Sequence, residues 1–173
     1  LLGYGASDLD RVFEPLRHAL RGEPSRARLA AYALGELRAV RAIVDLMDVL
    51  EQDSATAEEA RRALVVLAQQ DFGVKKRKWR AWWKTNRFHS RLEWMLDALA
   101  HPSEVVRLSA SDELKRLTGE SFGYHHDSPK REREAARERW LKWWQTTGRE
   151  RFSREAGRDE ASRATGVLPA LPE

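Results

Sequence analysis

The feature that most constrains the fold is an internal repeat, because the chain aligns with itself at fixed offsets. Two apolar patterns recur after thirty residues and again after a further 49 or 50. The first comprises Phe13, Leu16 and Leu20; Ile43, Leu46 and Leu50; and Leu92, Met95 and Leu99. The second comprises Ala30, Leu34 and Leu37; Ala60, Leu64 and Leu67; and Ala110, Leu114 and Leu117. Such residues share one face of a helix, so each unit is predicted to be a pair of amphipathic helices.

Polar turns divide the two helices of each unit at equivalent places in the sequence. The expected helices span about 9–21, 25–38, 39–51, 55–70, 91–101 and 103–118. The predicted N-caps are Ser25, Ser54 and Ser103, whose hydroxyl oxygens can accept from free N–H groups of the first turn. A single hairpin cannot bury its own apolar face, so we expect the three units to stack on a shared core.

Composition supports an all-α fold. The chain contains 10 Gly and 6 Pro in 173 residues, and its charged residues, 34% of the total, mix both signs along the helices. No run alternates with a period of two, as a half-buried strand would. A stacked α-solenoid of about three hairpins is therefore the predicted fold class, with an ordinary helical bundle as the alternative.

Two inserts carry the same arrangement of three tryptophans. They occupy about 72–90 and 121–150, and each begins at a Phe-Gly pair. Their Trp residues are Trp79, Trp82 and Trp83 in the first insert, and Trp140, Trp143 and Trp144 in the second. This spacing places three indoles on one helical stripe, which favours packing against a neighbouring unit over stacking on bases or carbohydrate. Asn86 and Gly148 are predicted to end these two extra helices.

Two segments resemble HEAT repeats of the short bacterial kind also found in phycobilisome-lyase-like proteins. They are 28–37 (RLAAYALGEL) and 104–110 (EVVRLSA). The other units depart from this pattern, since Ala27 and Ala57 stand where the third unit has Arg107. The resemblance covers 9–118 and implies a curved solenoid that binds a partner on a face lined by its second helices. The second insert also resembles a segment of bacterial HEAT-repeat proteins, which implies a structural cap or spacer.

The predicted function is a non-catalytic scaffold for a protein partner. A repeat domain is expected at 1–152, followed by a partly disordered tail at 153–173. The partner-binding candidates, taken from the second helices, are Tyr32, Arg62, Asp112 and Arg116. This mixed set argues against a helical-repeat DNA glycosylase, which would need a carboxylate beside aromatic residues. We expect no catalytic site or cofactor, because Ser and Asp are scattered without a nucleophile-elbow pattern. We also expect no metal, because 125–127 (HHD) are consecutive loop residues that cannot converge on one ion.

The alternative function is nucleic-acid binding. The chain carries a net charge of +4, and no acidic residue interrupts 75–91. The candidate nucleic-acid ligands are Lys75, Lys76, Arg77, Lys78, Arg80 and Lys84. Cations beside aromatic rings are typical of surfaces that bind phosphates and stacked bases. However, a Trp stripe and a cationic stripe fall on different faces of one helix, and the second insert surrounds its Trp residues with glutamates.

The compartment is predicted only indirectly. The chain contains no Cys and no apolar run near the roughly 18 residues of a membrane span. We expect a cytoplasmic protein. The printed chain begins at Leu1 without a starting Met, so it is open whether it belongs to a longer array or was exported.

Overall fold

The computed structural model describes residues 6–153, and in that range all regular structure is helical. The prediction of an all-α fold is confirmed for this part of the chain. In chain order its α-helices are α1 (Ala6–Ala19), α2 (Pro24–Glu36), α3 (Ile43–Asp48), α4 (Ser54–Ala68), α5 (Lys76–Asn86), α6 (Arg91–Ala98), α7 (Glu104–Thr118) and α8 (Lys130–Trp143). The tail predicted at 153–173 lies outside the described residues beyond its first position.

Consecutive helices pack as the repeat predicts. Helix α1 packs on α2, α3 on α4, and α6 on α7, while the most extensive contact joins α2 to α4. Hydrogen bonds also link the first two units at equivalent turns: the Thr56 hydroxyl donates to the Pro24 carbonyl at 3.2 Å. The Gln52 amide donates to the Leu20 carbonyl at the same distance.

Two of the three predicted N-caps are wrong by one or two residues. Helix α2 begins at Pro24 with Glu23 as its boundary residue, so Ser25 already lies inside the helix. Proline suits the first helical position because the N–H it lacks would be unpaired there. Helix α4 is capped by Asp53, whose carboxylate accepts from the N–H groups of Ala55 and Thr56, both at 3.1 Å. Ser103 is the N-cap of α7, although its side chain makes no capping hydrogen bond.

The helix predicted at 39–51 is the least regular. Only Ile43–Asp48 is α-helical, flanked by 3₁₀ turns at Val40–Ala42 and Val49–Glu51. Arg38, just before it, has φ 53°, in the left-handed region. β-Branched residues crowd this segment and favour helix less than straight-chain residues do. Its apolar face is nevertheless buried, so packing decides its position.

The core consists of two clusters joined by a shared residue. One combines α1 to α5 with Trp94, and the other combines α6, α7 and the second insert, which includes α8. Val65 of α4 packs against both clusters. The matched leucines Leu34, Leu64 and Leu114 are all fully buried, as the repeat predicts.

Both Trp-bearing inserts form helices that pack their indoles inward. Trp79 and Trp140 are fully buried, and Trp82 and Trp83 of α5 pack against Trp94 of α6, with ring centroids 5.2 and 5.9 Å apart. The Trp helices therefore act as braces between units, since α5 also contacts α3, and α8 contacts α6.

Of the two predicted helix ends, the one at Asn86 is confirmed in position and the one at Gly148 is wrong. Asn86 is the last residue of α5, but the next residue, Arg87, keeps a right-handed backbone. The Asn86 amide instead donates to the Trp82 carbonyl at 2.8 Å. Gly148 ends a π-helical turn (Trp144–Gly148) that continues as helix. A Cβ at Gly148 would lie 2.7 Å from ring atoms of Trp143 and Trp144, so the glycine provides space for indoles rather than a stop.

Gly35 sets the close approach of α2 to α4, which suggests a first test. A Cβ at this position would lie 3.1 Å from both Cα and Cβ of Ala63. Gly35→Ala should gain about 1 kcal/mol of helix propensity but lose about 1–3 kcal/mol to overpacking, for a net loss near 1 kcal/mol. Urea denaturation measures this change. Adding Ala63→Gly should relieve the contact with Cβ of residue 63 but not the contact with its Cα, so it restores the packing only in part. A Gly35→Ala chain more stable than the parent would contradict the close approach.

Candidate functional site

Helices α1, α2 and α4 form two adjoining grooves that share Tyr32. The groove between α1 and α2 has a volume of about 650 Å³ and is mainly apolar, with Val12, Pro15, Leu16 and Leu37 in its lining. Tyr32 is 55% exposed and stands between this groove and the next. Leu29, one helical turn earlier, is also exposed. The face therefore offers apolar surface that no described residue covers.

The second groove, of about 320 Å³, lies between α2 and α4 and brings together two of the predicted partner-binding residues. Tyr32 and Arg62 both line it, with Gly35, Glu36, Glu59, Ala63 and Val66. The Arg62 guanidinium lies 3.4 Å from a Glu59 carboxylate oxygen. Glu36 is exposed. Charges of both signs thus border an apolar floor, which suits a protein surface better than a polyanion.

Arg62 also lines a third groove, of about 390 Å³, between α4 and α7. Its apolar walls are Val65, Val66, Val105 and Val106, and Val105 is strongly exposed. Asp71 accepts a hydrogen bond from Arg61 Nε at 2.9 Å at the edge of this groove. That bond lowers the pKa of the Asp71 carboxyl and outweighs the opposing effect of burial. The pair is therefore charged near neutral pH and holds the loop after α4 in place.

Asp112, the third predicted residue, lies away from Tyr32 and Arg62. It lines a polar groove of about 260 Å³ between α7 and the second insert, together with Lys115, Tyr124, His125 and Trp140. The Tyr124 hydroxyl donates to the Leu99 carbonyl at 2.6 Å, which fixes the insert against α6. Trp140 Nε1 is buried and has no hydrogen-bond partner among the described residues. The four predicted residues therefore do not share one groove.

Arg116, the fourth, belongs to an ion-pair network around the buried carboxylate of Glu113. Glu113 is 7% exposed and accepts from Arg91 Nη1 and Arg116 Nη2, both at 2.8 Å. The Arg38 guanidinium lies 3.8 Å from the same carboxylate. Burial alone would raise the pKa of Glu113, but the hydrogen bonds from Arg116 and Arg91 outweigh it and hold the pKa at about 2. Arg116 is thus exposed, as a partner-binding residue would be, but it also stabilises the fold by pairing with Glu113.

The His-His-Asp loop is held by its backbone. The buried Arg107 donates to the carbonyls of His126, His101 and Pro102 at 2.9, 2.8 and 2.7 Å. This arginine ties the second insert to the turn before α7, whereas the first two units have alanine there. Across residues 6–153, no three His, Asp or Glu side chains are grouped so that they could hold a metal ion.

The six predicted nucleic-acid ligands fall into two groups. Lys76 pairs with Glu51 at 2.7 Å and Asp48 at 3.3 Å, and Arg80 pairs with Asp48 at 3.0 Å. These two cations dock α5 on the segment around α3. The remaining four are exposed, and no carboxylate in the described part of the chain lies within ion-pair distance of them: Lys75, Arg77, Lys78 and Lys84.

The sequence analysis did not single out Phe88, the most exposed aromatic residue between positions 11 and 153. Phe88 follows α5 and is 80% exposed. The Arg87 guanidinium lies over its ring, 4.6 Å from the centroid. The sequence did contain a sign that this ring would be exposed, because Phe88 falls outside the stripe formed by the three Trp residues of α5.

Helices long and apolar enough to cross a lipid bilayer are absent from residues 6–153. Comparison of the whole chain with protein-family models, curated proteins and solved structures gives no match.

Proposed function

We propose that this chain is a non-catalytic scaffold, a short HEAT-like α-solenoid that binds a protein partner along α1, α2 and α4. The observation that carries the proposal is the exposed apolar pair Leu29 and Tyr32 on α2, of which Tyr32 lines two open grooves. Large apolar side chains on a surface, bordered by charges of both signs, are typical of protein interfaces.

Stacking of equivalent units supports the solenoid part of the proposal. Leu34, Leu64 and Leu114 occupy matching positions on the second helices and are equally buried. Arg17 of α1 donates to Asp45 of α3 at 2.9 Å, which links the first helices of two units. Such contacts between successive hairpins are what holds a repeat array together.

The partner is expected to insert apolar side chains beside Tyr32 and to pair its own charges with Arg62 and Glu36. Aromatic and arginine residues at the centre of an interface often carry most of the binding energy. Arg62 and Tyr32 occupy such a position, because each lines two neighbouring grooves.

Tyr32→Ala and Arg62→Glu test the proposal. We expect each change to weaken a captured protein partner about 30-fold, equivalent to roughly 2 kcal/mol at an interface hot spot. Folding stability should change by less than about 0.5 kcal/mol in Tyr32→Ala, because this side chain is exposed. Arg62→Glu should cost about 1 kcal/mol, because it replaces ion pairs with Glu58 and Glu59 by like-charge repulsion. The partner is captured from nuclease-treated lysate, purified, and titrated against each variant by calorimetry.

Two variants on other surfaces serve as controls. Val44→Ala removes a comparably exposed apolar residue on α3, and Lys78→Glu reverses a charge on α5. Both should keep the affinity of the parent chain, and hydrogen exchange should show protection of α2 and α4 by the partner. A partner that binds Tyr32→Ala and Arg62→Glu as tightly as the parent would disprove this interface.

A further inference from the structure

The cations of α5 exceed what its packing requires. Lys76 and Arg80 are paired with acids of the neighbouring segment. The other four predicted nucleic-acid ligands are exposed and have no carboxylate partner among residues 6–153. The solvent-facing side of α5 also includes the small residues Ala81 and Thr85, both exposed. These small residues and the four cations, which pair with no carboxylate of the described chain, are called the outward face of α5, with Lys75 as the N-cap just before the helix: Lys75, Arg77, Lys78, Ala81, Lys84 and Thr85.

The second Trp helix provides an internal comparison. A shift of 61 residues superimposes the Trp triplets of α5 and α8. The cations Lys75, Arg77 and Lys84 then correspond to Ala136, Glu138 and Gln145, whereas Lys78 corresponds to another cation, Arg139. Phe88 corresponds to Arg149. The brace in α8 thus buries its indoles without counterparts of Lys75, Arg77, Lys84 and Phe88. Packing of the Trp triplet therefore does not explain why α5 carries them.

We propose that the outward face of α5 and the Arg87–Phe88 turn bind single-stranded nucleic acid. The four unpaired cations contact successive phosphates, and one unstacked base lies on the free face of the Phe88 ring. Arg87 covers the other face of that ring, so the aromatic platform is held before binding. This binding uses a different surface from the proposed protein interface, so an experiment can disprove one of the two proposals without affecting the other.

The aromatic platform differs from the one that the sequence suggested. Trp79 is fully buried, and Trp82 and Trp83 are partly buried against Trp94, so all three contribute to packing. Phe88, at 80% exposure, is available. Stacking on a single ring needs an unpaired base, which favours a single strand over a duplex.

A lipid surface fits these residues less well. Binding in the plane of a membrane requires a broad apolar face opposite a charged one. The apolar face of α5 is already occupied by the core, and its outward face offers only small or charged side chains. An acidic peptide would use the cations but has no need of Phe88.

Fluorescence anisotropy with a labelled oligothymidylate tests the proposal on the whole chain. Four phosphate contacts predict a slope of about −3 in a plot of log affinity against log salt concentration for a single strand. Phe88→Ala should weaken binding about 5- to 150-fold without changing that slope, since one base loses its stacking partner. Lys75→Glu with Lys78→Glu should weaken binding at least about tenfold and make the slope shallower by about 1.4.

A matched pair of charge reversals controls for net charge. Arg26→Glu with Arg28→Glu changes two exposed cations on α2 and should leave the affinity within about twofold. Thermal unfolding by circular dichroism checks that every variant is folded.

Four outcomes would overturn the proposal. The first is that the oligothymidylate shows no saturable binding at low salt, and the second is that Phe88→Ala binds it as tightly as the parent chain. The third is that polyglutamate competes as well as unlabelled oligothymidylate for the chain, and the fourth is that the chain binds phosphatidylserine-containing vesicles more tightly than the oligonucleotide.

Discussion

Trp79→Ala is expected to lower the free energy of unfolding by about 3–5 kcal/mol, the largest loss from any single truncation of the first insert. Trp79 is fully buried, meets Phe72 edge-to-face at 5.0 Å and donates from Nε1 to the Gly73 carbonyl at 2.7 Å. Helix α5 has 11 residues, which is too short to be stable in isolation. Loss of its central anchor should therefore loosen the whole brace.

Urea denaturation followed by circular dichroism measures this loss. Phe88→Ala is the matched control, because it removes an exposed aromatic residue two turns away and should change stability by less than about 0.5 kcal/mol. A loss below about 1 kcal/mol in Trp79→Ala would contradict the anchoring role.

A comparison of the two inserts refines this prediction. Trp140 meets Phe122 at 4.8 Å much as Trp79 meets Phe72, but its Nε1 has no partner among the described residues. Trp79→Phe loses a hydrogen bond that Trp140→Phe does not lose. Trp79→Phe should therefore cost about 1 kcal/mol more than Trp140→Phe.

Glu113→Gln is expected to cost about 3 kcal/mol at neutral pH, the largest electrostatic effect we predict. The change removes the negative charge that Arg91 and Arg116 share, while keeping the size of the side chain. Arg91 also donates from Nε to the Leu67 carbonyl at 3.3 Å, at the end of α4. Glu113 therefore connects α7 to α4, and its loss should also disturb the groove between these two helices.

The same carboxylate makes stability depend on pH. The pKa of Glu113 is about 2 in the folded chain and near the ordinary value of 4.5 when unfolded. Because the folded pKa is the lower one, the stabilisation is complete above about pH 4.5 and is lost as the pH falls toward 2. The shift corresponds to about 3 kcal/mol.

Urea denaturation at about pH 7 and about pH 3 checks both statements. Glu113→Gln should narrow the difference between the two conditions but not remove it, because the pKa of Asp71 is also lowered by its bond to Arg61. If the parent and Glu113→Gln lose the same stability on acidification, the network does not carry this pH dependence.

Patterns of residues close together in the sequence were sufficient to predict most of the helices. The repeated leucines predicted the buried faces of α2, α4 and α7, and the Trp spacing predicted inward-facing braces. The predicted helix ends were wrong where a neighbouring residue set the start of the helix or required space for its side chain. Pro24 at the first helical position and Asp53 at the N-cap place Ser25 and Ser54 inside their helices. Gly148 provides space for the rings of Trp143 and Trp144 and does not end a helix.

By itself, the sequence determined the helical character, the division into hairpins and the separation of Trp and cations on α5, because these depend on helical periodicity. Only the tertiary structure decided which distant residues meet. Arg38 and Glu113 lie near each other although 75 positions apart, whereas Asp112 lies in a different groove from Tyr32 and Arg62. The physical reason is that a groove or an ion pair between units depends on how closely and at what angle helices pack, and that is set by side-chain volumes such as the missing Cβ of Gly35.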